Sequence, residues 1–235
     1  GVEANPHLAA YCRHRFDEAC QSGRLVIIDK AIANTSGTID FYVSDQKSEW
    51  GTANRDWMLR NEKVGKRSRA IQVSTICTVD LLRDYGTPYY LKVDIEGFDH
   101  LCISDLVNWT DKPKYTSVEC HAYSCDDTLA LLHALIEAGY RKFNIVSQLG
   151  IRTLTCPNPA REGPYVEHSF PEGASGLFGQ ELPGPWFSAS DTELCLKKIY
   201  RNIRMNGPHN GVCRYIRGRY TAPILNRLFP NASDW

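Results

Sequence analysis

The sequence has no excess of charge, no long apolar run and no paired-cysteine motif, and each absence excludes a class of protein. Lysine plus arginine equals aspartate plus glutamate at 27 each, so no net field draws the chain to nucleic acid or to an anionic surface. No apolar run approaches the roughly 18 to 20 residues that span a bilayer. Nine cysteines without a CxxC pair disfavour a structural zinc site or a redox dithiol. We therefore expect neither a nucleic-acid partner nor a membrane span in this segment.

The first residues lack two further features. They contain no initiator methionine, and they have neither the basic nor the apolar region of a signal peptide. We expect the chain to be a fragment of a longer product, with any targeting signal upstream. A cytoplasmic location is favoured, and the oligomeric state stays open.

What is present is an alternation of strand and helix signals over residues 1–147. Residues 1–4 are interpreted as the end of a strand, and Asn5 as N-cap with Pro6 after it predicts a helix that ends at Gly23. The apolar run at 24–29 predicts a strand buried on both faces. Further strands are predicted at 38–43, 70–74, 89–94, 115–119 and 143–146, with helices capped by Thr78, starting near Phe98, and capped by Asp126 or Asp127. This order favours a mostly parallel, doubly wound α/β sheet with helices on both faces.

The composition changes after this core. Residues 148–190 are rich in glycine and proline and are predicted to form a lid or substrate wall, with a plain linker as the alternative. Residues 191–235 are predicted to form a C-terminal helix, at 192–203, followed by a basic tail. The sequence thus predicts three regions, at 1–147, 148–190 and 191–235.

Ligands of open parallel sheets bind beyond the carboxyl ends of the strands, and polar residues follow three of the predicted strands. Glu3, with Asn5 behind it, comes after the first of them. An acid there can accept hydrogen bonds from a ribose diol. It can equally be an exposed acid that favours the positive end of the following helix.

The end of the second of these strands, predicted at 89–94, carries the most charge. Lys92, Asp94 and Glu96 alternate at the end of one strand, and Gly97 permits a tight exit. Three charges on one face of a buried strand are costly unless they pair with each other or with a ligand. The alternatives are a ligand site and an ion pair of Lys92 with Asp94 or Glu96 that merely closes the sheet edge.

Glu119 and His121 follow the next strand. A histidine there can act as a general base on a hydroxyl, because its pKa lies near the working pH, or it can be a structural histidine. Cys120, His121 and Cys125 do not make a complete ligand set, so no metal is predicted.

Four segments together resemble the FkbM type of methyltransferase. They are Gly-Val-Glu-Ala-Asn-Pro at 1–6, Thr-Val-Asp-Leu-Leu at 78–82, Tyr-Leu-Lys-Val-Asp-Ile-Glu-Gly-Phe-Asp at 90–99 and Val-Glu-Cys-His at 118–121. The resemblance implies a Rossmann-like class I methyltransferase that moves a methyl group from S-adenosylmethionine to a hydroxyl of a small molecule or sugar.

The resemblance also implies roles for the site residues. Glu3 would hold the ribose hydroxyls with support from Asn5, and Asp94 would lie beside the methionine part of the cofactor. Lys92 and Glu96 would shape the cofactor site. Glu119 and His121 would face the acceptor, with His121 as the base and Asp94 behind it.

The chain departs from the family at one point. The family's first strand and its glycine-rich turn should precede Gly1, and no later segment replaces them. Two alternatives therefore stay open: an NAD-dependent oxidoreductase, since an acid serves the ribose there too, and a non-catalytic methyltransferase-fold binding module.

Overall fold

The computed structural model describes eight stretches of the chain. They are residues 1–44, 51–55, 58–59, 68–95, 97–120, 124–146, 151–171 and 174–205. The chain forms two compact units, Gly1–Cys120 and His121–Trp235. Both helices and short sheets are present, which confirms the mixed α/β class. The predicted division into functional regions at residues 147 and 190 stays a prediction.

The first unit opens with a capped helix, α1 (Pro6–Arg15). Asn5 is its N-cap and Pro6 its first residue, as the sequence predicts. The helix does not run unbroken to Gly23. It breaks at Phe16, and a short helix, α2 (Asp17–Gln21), follows.

The prediction that residues 24–29 form a strand buried on both faces is wrong about the burial. Ile28 makes one parallel bridge to Val2, and Val26 is 44% exposed. An apolar run shows that a strand can be buried, but neighbouring strands decide whether it is. Among the described residues, Val2 is the one bridge partner of this segment.

A three-stranded sheet forms the next layer. Its strands are β1 (Ala31–Ile32), β2 (Thr38–Ser44) and β3 (Ser68–Ile76), in the spatial order β1-β3-β2. β3 runs parallel to β1 and antiparallel to β2. The β2 and β3 predictions are confirmed, since alternate residues point inward. The core of this layer consists of Ala31, Phe41, Val43 and Val73, with Ala4 packed against them.

A β-α-β unit completes the first unit. After α3 (Thr78–Tyr85) come β4 (Tyr90–Val93), α4 (Asp99–Asn108) and β5 (Tyr115–Val118), and β4 pairs in parallel with β5. Ile103 and Leu106 of α4 are fully buried. The predicted cap of α3 is wrong: Thr78 is the first helical residue, Cys77 holds the cap position, and no side chain caps the helix. The parallel crossover places the ends of β4 and β5 at the same edge.

The second unit contains two contacting helices, α5 (Cys125–Glu137) and α6 (Ala189–Met205). A hydrogen bond of 2.7 Å joins Thr128 Oγ1 and Tyr200 Oη between them. The cap of α5 is Ser124, not Asp126 or Asp127, because the Ser124 hydroxyl accepts from the Asp127 backbone N–H. Gly139, with φ of +104°, follows the end of α5, as predicted.

Among the described residues, the strand predicted at 143–146 makes one antiparallel bridge, between Phe143 and Phe187. The glycine- and proline-rich segment that follows is folded on itself. Glu181 Oε1 accepts hydrogen bonds from the backbone N–H groups of Arg161 and Glu162, each at 2.8 Å. Glu162 Oε1 accepts from the Gln180 N–H at 3.1 Å. These hydrogen bonds connect residues 161–162 with residues 180–181, and the choice between a lid and a linker stays a prediction.

Within the described ranges, no helix combines the length and the apolar character that crossing a bilayer requires. The predicted basic tail beyond α6 lies outside the described residues.

Candidate functional site

Glu3 and Asn5 lie in the turn between the Val2 bridge and α1. The Glu3 N–H donates to the Ile28 carbonyl at 2.9 Å, which fixes the backbone of the turn. The Glu3 side chain folds back, and its Oε1 accepts a hydrogen bond from the Asn5 N–H at 2.7 Å. Oε2 has no hydrogen-bond partner among the described residues. This turn therefore presents one carboxylate oxygen for a further contact.

The side chains of this turn are partly buried from solvent. The Glu3 side chain is half-buried, and this burial raises the pKa of its carboxyl above the usual 4.5, while the Asn5 N–H partly opposes the shift. Asn5 is 5% exposed, and its Oδ1 accepts from the His7 N–H at 3.1 Å. The Asn5 side chain thus caps α1, and the Asn5 backbone N–H holds the Glu3 carboxylate.

Lys92 and Asp94 form an ion pair at the end of β4. Lys92 Nζ lies 2.6 Å from Asp94 Oδ2, and the two side chains are 38% and 42% exposed. This face of the strand is exposed, so the prediction that it is buried is wrong. The pair is accessible to solvent, so it carries little desolvation cost.

Asp94 and Glu119 are neighbours at the carboxyl edge of the small sheet. The β4–β5 register ends at the pair Val93 and Val118, and Asp94 and Glu119 are the next residues. Adjacent strands lie about 5 Å apart, so the two acidic residues start side by side. The structure thus places two of the predicted site residues next to each other in the sheet, although paired residues of β4 and β5 are 25 residues apart in the sequence.

The Glu3 turn belongs to a different strand pair. Val2 bridges to Ile28, whereas Asp94 and Glu119 follow β4 and β5, and no ladder connects the two pairs within the described residues. Glu96 and His121 lie outside the described residues. Among those described, no cluster of histidine, cysteine, aspartate or glutamate has an arrangement that could hold a metal ion.

Asp99 is a residue that the sequence reasoning did not single out. It is the first residue of α4 and only 4% exposed. Burial raises the pKa of its carboxyl above the usual 3.8, partly opposed by the backbone N–H groups of Asp99, Gly97 and Ile95. The sequence does contain a pattern that predicts the burial of Asp99. Its spacing to the buried residues Cys102, Ile103 and Leu106 is i, i+3, i+4, i+7, which places all four on one face of α4.

Comparison with known proteins identifies this arrangement of segments. The methyltransferase FkbM domain matches residues 1–142, which is more than half of the chain and includes Glu3, Asp94, Asp99 and Glu119. No curated protein and no solved structure matches the chain. The chain belongs to the FkbM methyltransferase family.

Proposed function

We propose that the protein is an S-adenosylmethionine-dependent methyltransferase that acts on a hydroxyl oxygen of a small molecule or sugar. The observation that carries the proposal is that Asp94 and Glu119 directly follow the paired ends of β4 and β5, at the carboxyl edge of a parallel β-α-β unit, where ligands of such sheets bind. The same unit supports the proposal of a Rossmann-like, doubly wound sheet. Family membership supports methyl transfer as the chemistry.

The Glu3 turn fits the ribose of such a cofactor. A ribose diol offers two hydroxyl donors, and Glu3 has one carboxylate oxygen with no partner among the described residues. The other oxygen is held by the Asn5 N–H, so the carboxylate keeps one orientation. Because the side chain is half-buried, a hydrogen bond there is less weakened by water than on an open surface. Glu3 is thus assigned to the ribose, with Asn5 holding the turn.

The remaining residues act on the two reacting partners. The bound cofactor supplies an electrophilic methyl group on a sulfonium. Asp94 is assigned to the methionine part, with Lys92 and Glu96 shaping that side of the site, and Glu119 orients the acceptor hydroxyl. His121 would take the proton that the acceptor hydroxyl loses, and the bound cofactor would supply the methyl group. Such alignment and proton removal account for most of what the protein must do.

A ligand titration separates this proposal from its alternatives. The full product of the gene is titrated with S-adenosylhomocysteine and, in parallel, with NAD, and the melting temperature is followed. We expect a concentration-dependent rise with S-adenosylhomocysteine alone, because a ligand that binds only the folded state stabilises it. A rise with NAD alone would replace the proposal with an oxidoreductase. No response to either ligand would favour a non-catalytic binding module.

The hydroxyl acceptor requires a second assay. The protein is incubated with methyl-labelled S-adenosylmethionine and panels of hydroxylated sugars and small molecules. Label that becomes attached to oxygen in the product supports the proposal. Label found only on nitrogen or carbon would keep methyl transfer and overturn the choice of oxygen.

A further inference from the structure

Two acidic residues directly follow the paired ends of β4 and β5. Val93 pairs with Val118, and Asp94 and Glu119 are the next residues of the two strands. Neighbouring strands lie about 5 Å apart, and like charges on adjacent strands repel each other. The carboxyl edge of the β4–β5 sheet therefore concentrates negative charge.

Lys92 offsets part of this charge. It lies on β4 two residues before Asp94, so the two side chains leave the strand on the same face. Lys92 Nζ lies 2.6 Å from Asp94 Oδ2, and within the described ranges Asp94 forms no other ion pair. Lys92 is positive and Asp94 and Glu119 are negative, so the three side chains carry one net negative charge with the lysine and two without it.

The structure gives the Lys92 ammonium group no second task. Ser117 lies opposite Lys92 in the β4–β5 register, but the Ser117 hydroxyl is hydrogen-bonded to the Tyr90 hydroxyl at 2.7 Å. In the described part of the chain, Asp94 is the one hydrogen-bond partner of Lys92 Nζ. Because this ion pair is accessible to solvent, it contributes little to stability. The charge of Lys92 therefore matters most for a ligand that binds at this edge.

The methyl donor of the proposed reaction differs in charge from its product. The sulfur of S-adenosylmethionine carries a positive charge, whereas the sulfur of S-adenosylhomocysteine carries none. The energy of a charged atom depends on the sign and the distance of every charge around it. Two carboxylates thus favour the donor over the product, and a neighbouring ammonium group reduces that preference.

We propose that Lys92 is a specificity-determining residue, whose ammonium group reduces the negative charge beside Asp94 and Glu119 and thereby limits the preference of the site for the charged methyl donor over the neutral product. The inference rests on the proposed function, because Asp94 is assigned there to the methionine part of the cofactor. It deepens that function by giving Lys92 control over the balance between donor and product.

The ratio of two dissociation constants tests the proposal. Titration calorimetry on the full product of the gene, at low salt, gives the Kd of S-adenosylhomocysteine divided by the Kd of S-adenosylmethionine. We expect Lys92→Met to raise this ratio about threefold, the effect of removing one charge from a partly solvated site. Lys92→Arg, which keeps the charge, should leave the ratio near that of the wild type. A purely structural change would weaken both ligands alike and would cancel from the ratio.

A distant lysine and added salt are the controls. Lys114 immediately precedes β5, at the opposite end of that strand from Glu119. Lys114→Met removes the same charge away from the carboxyl edge, so it should leave the ratio unchanged. The effect of Lys92→Met should also shrink at high salt, because mobile ions screen charges that are exposed to solvent.

The outcomes keep this inference apart from the proposed function. A raised ratio in Lys92→Met alone supports the inference. An unchanged ratio in Lys92→Met, or an equal rise in Lys114→Met, would overturn it without affecting the proposed function, provided that the wild type binds both ligands. Failure of the wild type to bind either ligand would overturn the proposed function and this inference together.

Discussion

Glu3 is the residue whose environment most favours a ligand role. One oxygen of its half-buried carboxylate is held by the Asn5 N–H, and the other faces no described partner. We predict that Glu3→Gln weakens binding of S-adenosylhomocysteine by about tenfold, since a hydrogen bond to a charged group contributes roughly 1.5 to 3 kcal/mol. Glu18→Gln, at an exposed acid of α2 that pairs with Arg24, is the matched control. Equal affinities of both variants, by titration calorimetry, would remove Glu3 from the site.

The Lys92–Asp94 pair separates a structural role from a ligand role. Because both side chains are more than a third exposed, the pair should contribute at most about 1 kcal/mol to stability. We predict that Lys92→Met and Asp94→Asn each leave the urea midpoint nearly unchanged, and that Asp94→Asn weakens cofactor binding. A large loss of stability in both variants, with normal binding, would show that the pair only closes the sheet edge.

At this scale the sequence indicates residue types well and burial poorly. Asp94 and Glu119 are recognisable because each follows an apolar strand. The exposure of Lys92 and the burial of Asp99 depend on which elements pack against them, and a single strand or turn does not contain that information.

Among the elements, α5 has a cap that can be tested. The Ser124 hydroxyl accepts from the Asp127 N–H at 3.1 Å, and the two aspartates that follow are exposed. We predict that Ser124→Ala lowers the free energy of unfolding by about 1 kcal/mol, because it leaves a helix N–H without its partner. Ser104→Ala is the control, since the Ser104 hydroxyl donates to the His100 carbonyl within α4 and caps no helix end. Urea denaturation measures both, and a greater loss from Ser104→Ala would contradict the assignment.

Helices were more predictable than strands for a physical reason. A helix is stabilised by local contacts, so Asn5 and Pro6 predict the start of α1, and Gly139 predicts the end of α5. The break of α1 at Phe16 is not predicted. Strands depend on distant partners. The runs at 24–29 and 143–146 are apolar enough for strands, but each makes one bridge in the described residues. The pairing of β4 with β5 was predictable because a helix connects two apolar runs.

For the whole molecule, buried acids make stability depend on pH. Burial raises the pKa of the carboxyls of Glu3 and Asp99, so the folded protein holds these protons more tightly than the unfolded chain. Stability is then lost as pH rises from the ordinary values of 4.5 and 3.8 through the higher folded values. Asp29 acts in the opposite sense, since a hydrogen bond from Arg13 lowers the pKa of its carboxyl.

The double variant Glu3→Gln, Asp99→Asn isolates the first contribution. All other titrating groups are shared with the wild type, so the difference in unfolding free energy reports on these two carboxyls. We predict that the difference shifts in favour of the variant as pH rises from about 4, and becomes constant once both carboxyls ionise in the folded protein. Urea denaturation at a series of pH values measures it. A difference that stays constant across the whole series would mean that neither acid has a raised pKa.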